Sequence, residues 1–215
     1  MKTELKDYIL STIAIILILT ITFSLIYLLR PAIASLHLPI MSVLIYVLLF
    51  LLVYGIATSF YLKLLNLLIP LKEGSYDMNH LQFILWKHHS VVGEMGKHAL
   101  RGFFPFFLWP VFYTLFGAKI GKNVAIGGVI TDPFLVNIKD FGVIGKDSIV
   151  TSHTIVFNKF IMKPISIEKK ATIGINAVIM PGVVIGENSI VAPGAVVLMD
   201  TKIPPNEFWG GIPAK

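Results

Sequence analysis

An aliphatic residue returns every six positions along the C-terminal half of this chain. Ile120, Ile126, Ile138, Ile144 and Val150 share one register; after a break, Ile167, Ile173, Ile179, Ile185, Val191, Val197 and Ile203 share another. A small residue often follows directly, as at Gly121, Gly127, Gly145, Gly174, Gly186 and Ala192. Four places after the aliphatic stands a residue that is mostly small or β-branched: Val124, Ser148, Thr154, Ala171, Ala177, Val183, Ser189, Ala195 and Thr201.

A six-residue repeat implies a parallel β-helix. Each hexad makes one flat face of a triangular coil, its aliphatic pointing inward onto its equivalents above and below. The small residue fits the narrow interior near a corner. Polar pairs such as Lys122-Asn123, Lys146-Asp147 and Glu187-Asn188 take the turns, where positive φ and side-chain-to-backbone bonds are useful. One coil cannot bury its own interior, so coils must stack. The expected winding is left-handed, against the usual right-handed crossover rule.

The N-terminal part obeys a different constraint. The 215 residues are 55% hydrophobic and the mean hydropathy is +0.80, too apolar for one soluble domain. Ile9 to Leu29 is continuously apolar and long enough to cross a bilayer at roughly 20 residues per span. It exceeds the apolar core of a cleaved signal peptide, and no small-residue cleavage site is obvious. Arg30-Pro31 ends this span, Ser35 to Pro39 reads as a short external loop, and a second span runs from about Ile40 to Leu62. Two spans leave both chain ends on one side. Lys2, Lys6, Lys63 and Lys72 lie on that side against Arg30 on the other, so the positive-inside rule places the C-terminal part in the cytoplasm.

Between these regions, Lys72 to Lys97 is mixed and polar and holds or adjoins His80, His88, His89 and His98. They lack a compact ligand spacing, so no metal is expected and the histidines read as solvated or headgroup-facing. With no cysteine in the chain, disulfide and thiolate chemistry are excluded. Ala99 to Gly117 is aromatic, with Phe103, Phe104, Phe106, Phe107, Trp109, Phe112, Tyr113 and Phe116 interrupted by Pro105 and Pro110. Proline disfavours a straight third span. An interfacial or re-entrant segment fits, with Trp and Tyr at headgroup depth; so does a helix packed under the first coil. The expected organisation is a transmembrane helical hairpin over 1–70, an interfacial helical region over 71–117, the β-helix over 118–203 and an irregular tail over 204–215. The net charge of +6 suits anionic headgroups or a phosphate-bearing cofactor; no basic-aromatic groove for nucleic acid is visible.

Two residues in the repeats carry chemistry. His153 is the one histidine there and stands just before an insertion, Phe157 to Pro164, that interrupts the hexads. Imidazole is the side chain best suited to take and return a proton near neutrality. Asp132 occupies a register position that asks for an aliphatic. A carboxylate pointing into an apolar coil is costly, so a distorted coil with Asp132 facing outward is expected. One coil separates it from the hexad of His153, close enough to orient the ring or to bind a substrate hydroxyl.

The run from Pro164 to Gly186, then Val191-Ala192-Pro193-Gly194-Ala195-Val196-Val197, then Ile203-Pro204-Pro205 and the ending Gly210-Gly211-Ile212-Pro213-Ala214-Lys215, resembles the hexapeptide-repeat acyltransferases (the xenobiotic, galactoside and serine acetyltransferase group). The resemblance covers about the last hundred residues. It implies a homotrimer with acetyl-coenzyme A, or another acyl-coenzyme A, as co-substrate in the groove between neighbouring solenoids. It also implies His153 as general base, turn amides at Ile175, Ala192 and Pro193 meeting the thioester and pantetheine arm, and Trp209 and Lys215 contacting the nucleotide end. The chain departs from the family at Ala192-Pro193-Gly194, where Ala-Gly-Ser or Gly-Ala-Gly is frequent, and at Leu198-Met199, where Thr-Lys is frequent. Spans, an aromatic segment and repeats in this order also look like the membrane-embedded terminal region of poly-lysine-type peptide synthetases, which implies a carrier-bound aminoacyl donor. The γ-type carbonic anhydrases share the solenoid but need three metal-binding histidines, and these repeats hold only His153. The expectation is a membrane-anchored O- or N-acetyltransferase acting on a lipid-linked sugar, glycolipid or other amphipathic acceptor. The non-enzymatic alternative is a trimeric membrane scaffold.

Overall fold

The computed structural model describes residues 4–35 and 41–215; Lys2 and most of the expected external loop lie outside them. The chain forms two compact units, one of residues 1–70 with 84–103, the other of residues 71–83 with 104–215.

The first unit is helical. Helices α1 (Leu5–Ala34) and α2 (Ser42–Leu68) are each long and apolar enough to cross a membrane. Helix α1 does not stop at Arg30-Pro31 but continues through Pro31, and the Ser35 N–H closes it on the Pro31 carbonyl at 3.1 Å. The helices pack at Ala14, Ile18 and Tyr54, joined by Val92 from α3 (Leu81–Arg101). α3 approaches α2 through small residues. A Cβ at Gly55 would overlap Leu100, and one at Gly96 would overlap Thr58, the small-residue packing that suits apolar helices in lipid.

Polar groups gather inside this unit. Lys87 pairs with Asp7, both side chains nearly buried. His88 lies between Ser11 Oγ at 3.3 Å and Tyr61 Oη at 2.9 Å, and both it and His89 are buried. The expectation of solvated histidines therefore fails here, because α3 turns these rings toward its neighbours, whereas His98 and His80 stay exposed. Burial, reinforced by neighbouring His89, lowers the pKa of His88 from 6.5 to about 4. Between these values the unfolded chain holds a proton that the folded chain lacks, so stability is lost as pH falls from about 6.5 to about 4. The full loss is about 3 kcal/mol. Thermal melting in detergent at either end of that window checks this: His88→Gln should show a markedly smaller acid-induced fall in Tm than the parent chain.

The second unit is a stack of parallel coils. Its three parallel sheets have five, five and four strands. In one, Ile120, Ile138, Ile167, Ile185 and Ile203 align; in the next, Ile126, Ile144, Ile173, Val191 and Trp209; in the third, Ile130, Val150, Ile179 and Val197. The hexad aliphatics from Ile126 to Ile203 are buried, as are the corner residues Ser148, Ala171, Ala177, Val183, Ser189 and Ala195. Asn123, Asp147, Asn176, Asn188 and Asp200 turn the corners with φ between 55° and 62°, a conformation that short polar side chains tolerate best among non-glycine residues. The repeat continues past Ile203, since Phe208–Trp209 pairs in parallel with Ile190–Val191.

Two departures from the hexad count shape the site. In the first coil Ile130, not residue 132, takes the inward place opposite Val150. The chain reaches that face two residues early, and a 3-10 turn over Pro133–Leu135 takes up the difference, so that Ile138 again pairs with Ile120. The insertion is an antiparallel hairpin, His153–Val156 with Lys159–Met162, turned at Phe157 and Asn158 with φ of 47° and 61°. A third strand, Gly74–Asp77, adds to its far edge. Phe83 packs beneath it against Phe160, ring centroids 5.0 Å apart.

Candidate active site

The shortened face of the first coil sets Asp132 beside His153, the first residue of the hairpin. Asp132 does not face outward but is buried, 3% exposed, correcting the sequence expectation. The cost of burial is offset by two hydrogen bonds: Thr131 Oγ1 donates to Asp132 Oδ2 at 2.8 Å, and His153 Nδ1 lies 2.6 Å from the same oxygen. A carboxylate only accepts, so Nδ1 carries the proton in this pair and Nε2 is left with the lone pair. The ring of His153 keeps 25% of its side-chain exposure while Asp132 keeps 4%. Phe160 backs the imidazole with centroids 6.2 Å apart, and Thr151 Oγ1 donates to the His153 carbonyl at 3.0 Å. A buried carboxylate, a ring fixed at one nitrogen and a second nitrogen directed away from it form the arrangement that general-base chemistry uses. Thr131 was not singled out from the sequence; its signal is a hydroxyl directly preceding the carboxylate that breaks the register.

The other expected site residues sit along the later coils, and the structure does not gather them around the dyad. Ile175 is an exposed corner residue, and its N–H makes no backbone hydrogen bond among the described residues. The Ala192 amide donates to the Trp209 carbonyl at 2.8 Å and Pro193 has no N–H, so neither can serve as the amide donor the resemblance implied. Both remain surface residues of the same corner, stacked on Gly174. Trp209 extends the sheet, its indole N–H donating to Glu207 Oε2 at 2.6 Å. The Lys215 backbone exchanges hydrogen bonds with Gly210 at 3.1 and 3.2 Å, holding the final residue beside that strand with its side chain exposed.

Residues 164–198 match the family described as bacterial transferase hexapeptide (six repeats). No curated protein matches the chain. Among solved structures, it is similar to a hexapeptide-repeat-containing acetyltransferase from Vibrio cholerae O1 biovar eltor, complexed with acetyl coenzyme A. That match has 32% identity, covers 46% of this chain and 58% of the other, and has a TM-score of 0.43. It is also similar to a galactoside acetyltransferase in complex with coenzyme A, with 28% identity, 46% and 53% coverage and a TM-score of 0.41. A perosamine N-acetyltransferase from Caulobacter crescentus matches at 22% identity, 46% and 50% coverage and a TM-score of 0.35. The chain thus spans only 50–58% of the length of these three proteins.

Proposed function

We propose that this protein is a membrane-anchored acyltransferase that moves an acyl group, in the first instance acetyl, from coenzyme A to a hydroxyl or amine of a membrane-associated acceptor. The observation that carries the reading is the pair formed by a half-buried His153 and a buried Asp132 at 2.6 Å, at the foot of a hairpin leaving a hexapeptide solenoid. His153 Nε2 takes the proton of the acceptor group as its oxygen or nitrogen attacks the thioester carbonyl, and Asp132 stabilises the imidazolium. Collapse of the tetrahedral intermediate expels the thiolate, to which Nε2–H returns the proton. Ile175, Ala192, Pro193, Trp209 and Lys215 line the route proposed for the coenzyme, with Lys215 suited to a phosphate. The winding is left-handed and the assembly a homotrimer in this reading. The exposed Val143, Ile190 and Phe208 on the outer face of one sheet favour side-by-side packing of solenoids.

The anchor is the α1–α2 hairpin. Only 17% and 22% of the residues in the most apolar windows of these helices are buried, whereas a core helix of a soluble protein would be mostly covered. Placing the site in the cytoplasm with the acceptor confined to the same membrane raises their effective concentration, which favours a lipid-linked sugar or glycolipid. The test is release of free coenzyme A by detergent-purified full-length protein given acetyl-coenzyme A, with and without a membrane lipid extract. Release should require the lipid fraction. Equal turnover of wholly water-soluble acceptors would remove the membrane-bound acceptor from the proposal.

A further inference from the structure

Residues 104–117 present two different faces. The inner face is buried: Phe112, Tyr113 and Phe116 keep 4%, 4% and 7% exposure. The Tyr113 hydroxyl donates to the Gly128 carbonyl at 3.2 Å and accepts from the Ile130 N–H at 3.3 Å. These bonds tie α4 (Trp109–Leu115) to the first coil and cover backbone that no preceding coil pairs. Tyr113 thus packs under the first coil, the alternative the sequence left open for this segment. Trp109 is half-buried and its indole N–H donates to the Phe104 carbonyl at 3.1 Å.

The other face is apolar and open. Phe106, Phe107, Leu108 and Val111 are 74%, 65%, 37% and 51% exposed, four large side chains within six consecutive residues. Phe106 and Phe107 stand edge to face with centroids 5.8 Å apart, and Phe104 beneath them leans on Phe112 at 5.7 Å. The patch is thus held on a rigid base. A seven-residue helix is far too short to span a bilayer, and its buried face rules out lipid on all sides. Lys119 and Lys122 project exposed from the same first coil, a charge that complements anionic headgroups. The same chain also carries two helices of membrane-spanning length and apolarity.

We infer that Phe106, Phe107, Leu108 and Val111 form a wedge by which the solenoid unit itself inserts into an anionic bilayer surface at interfacial depth. This rests on the membrane anchoring proposed above and adds a second, independent attachment on the catalytic unit. Aromatic and aliphatic side chains enter the headgroup–acyl boundary while flanking lysines meet phosphate, which fixes the first coil against the surface.

The absence of cysteine from the chain makes the test clean. Single variants Phe107→Cys, Phe157→Cys at the hairpin tip (96% exposed) and Ile16→Cys on the outer face of α1 (57% exposed) each receive a polarity-sensitive fluorophore. The full-length proteins are reconstituted in phosphatidylcholine–phosphatidylglycerol vesicles containing nitroxide lipids. The expected result is a Phe107 probe quenched several-fold by shallow lipid nitroxides and shielded from aqueous iodide, with the opposite behaviour at Phe157 and deep-nitroxide quenching at Ile16. Iodide quenching at Phe107 equal to that at Phe157, with Ile16 still in lipid, overturns the wedge and leaves the anchor intact. Shielding of Phe107 from both quenchers also overturns it, because another copy of the chain then covers the patch. Failure of lipid quenching at both Ile16 and Phe107 removes the anchor and the wedge together.

Discussion

Replacing His153 by alanine is expected to lower acyl transfer by about 10²- to 10⁴-fold, the usual contribution of a positioned general base, with donor binding retained. The distinctive member of this series is Asp132→Asn. The amide fills the same buried space, but its NH₂ can donate where the carboxylate only accepts. It can therefore stabilise the wrong tautomer, with the lone pair on Nδ1, and it offers no charge to the imidazolium. A fall in kcat of about 10²-fold is expected, with the KM for the donor little changed and the folded state intact. Thr131→Val should act more weakly through the same oxygen, by removing the 2.8 Å hydrogen bond that helps hold Asp132. Rates measured on all three variants, each with its melting curve, separate this hierarchy from a merely structural role, in which losses would follow Tm rather than position in the chain of contacts.

The second large effect concerns how closely the coils stack. Gly174 lies against the next coil, and a Cβ there would stand 2.7 Å from the Ala192 carbonyl carbon and 2.8 Å from Pro193 Cα. These are backbone atoms, and the neighbouring hydrogen bond from the Gly174 N–H to the Val191 carbonyl at 2.8 Å prevents the coils from spreading. Gly174→Val should therefore cost about 3 kcal/mol or more by overpacking and lower the Tm of the solenoid by roughly 10 °C. Gly194 is the contrast. A Cβ there meets nothing within 4 Å, but its φ is +68°, so Gly194→Asn, which tolerates that conformation, should leave the Tm almost unchanged. Thermal denaturation of the two variants in one detergent checks both statements.

The hexad period made most of the solenoid legible, because one inward aliphatic per face is needed to bury each coil and any lapse would leave a cavity. From Ile167 to Ile203 the period and the strands coincide. It misled only where other contacts outweighed it. Ile130 could displace residue 132 because a 3-10 turn absorbs the difference, and no count of six reveals that. Asp132 broke the pattern, yet its burial depends on hydrogen bonds to Thr131 and His153, and the displaced face that sets it beside His153 leaves no mark in a count of six. The Gly74–Asp77 strand was invisible, since its four residues GSYD carry no apolar alternation and their pairing lies more than eighty residues away along the chain. Likewise, His88 and His89 read as surface residues because burial on α3 is set by contacts with Ser11 and Tyr61 on two other helices.

The most direct measurement follows an isotope-labelled acetyl group. Full-length protein is incubated with labelled acetyl-coenzyme A and a membrane lipid extract, and the lipids are analysed by mass spectrometry beside a His153→Ala reaction. The proposed mechanism predicts labelled acetyl on a lipid-soluble acceptor with the parent protein and almost none with the variant. Equal labelling by both proteins, or no labelled lipid while coenzyme A binds normally, would contradict it.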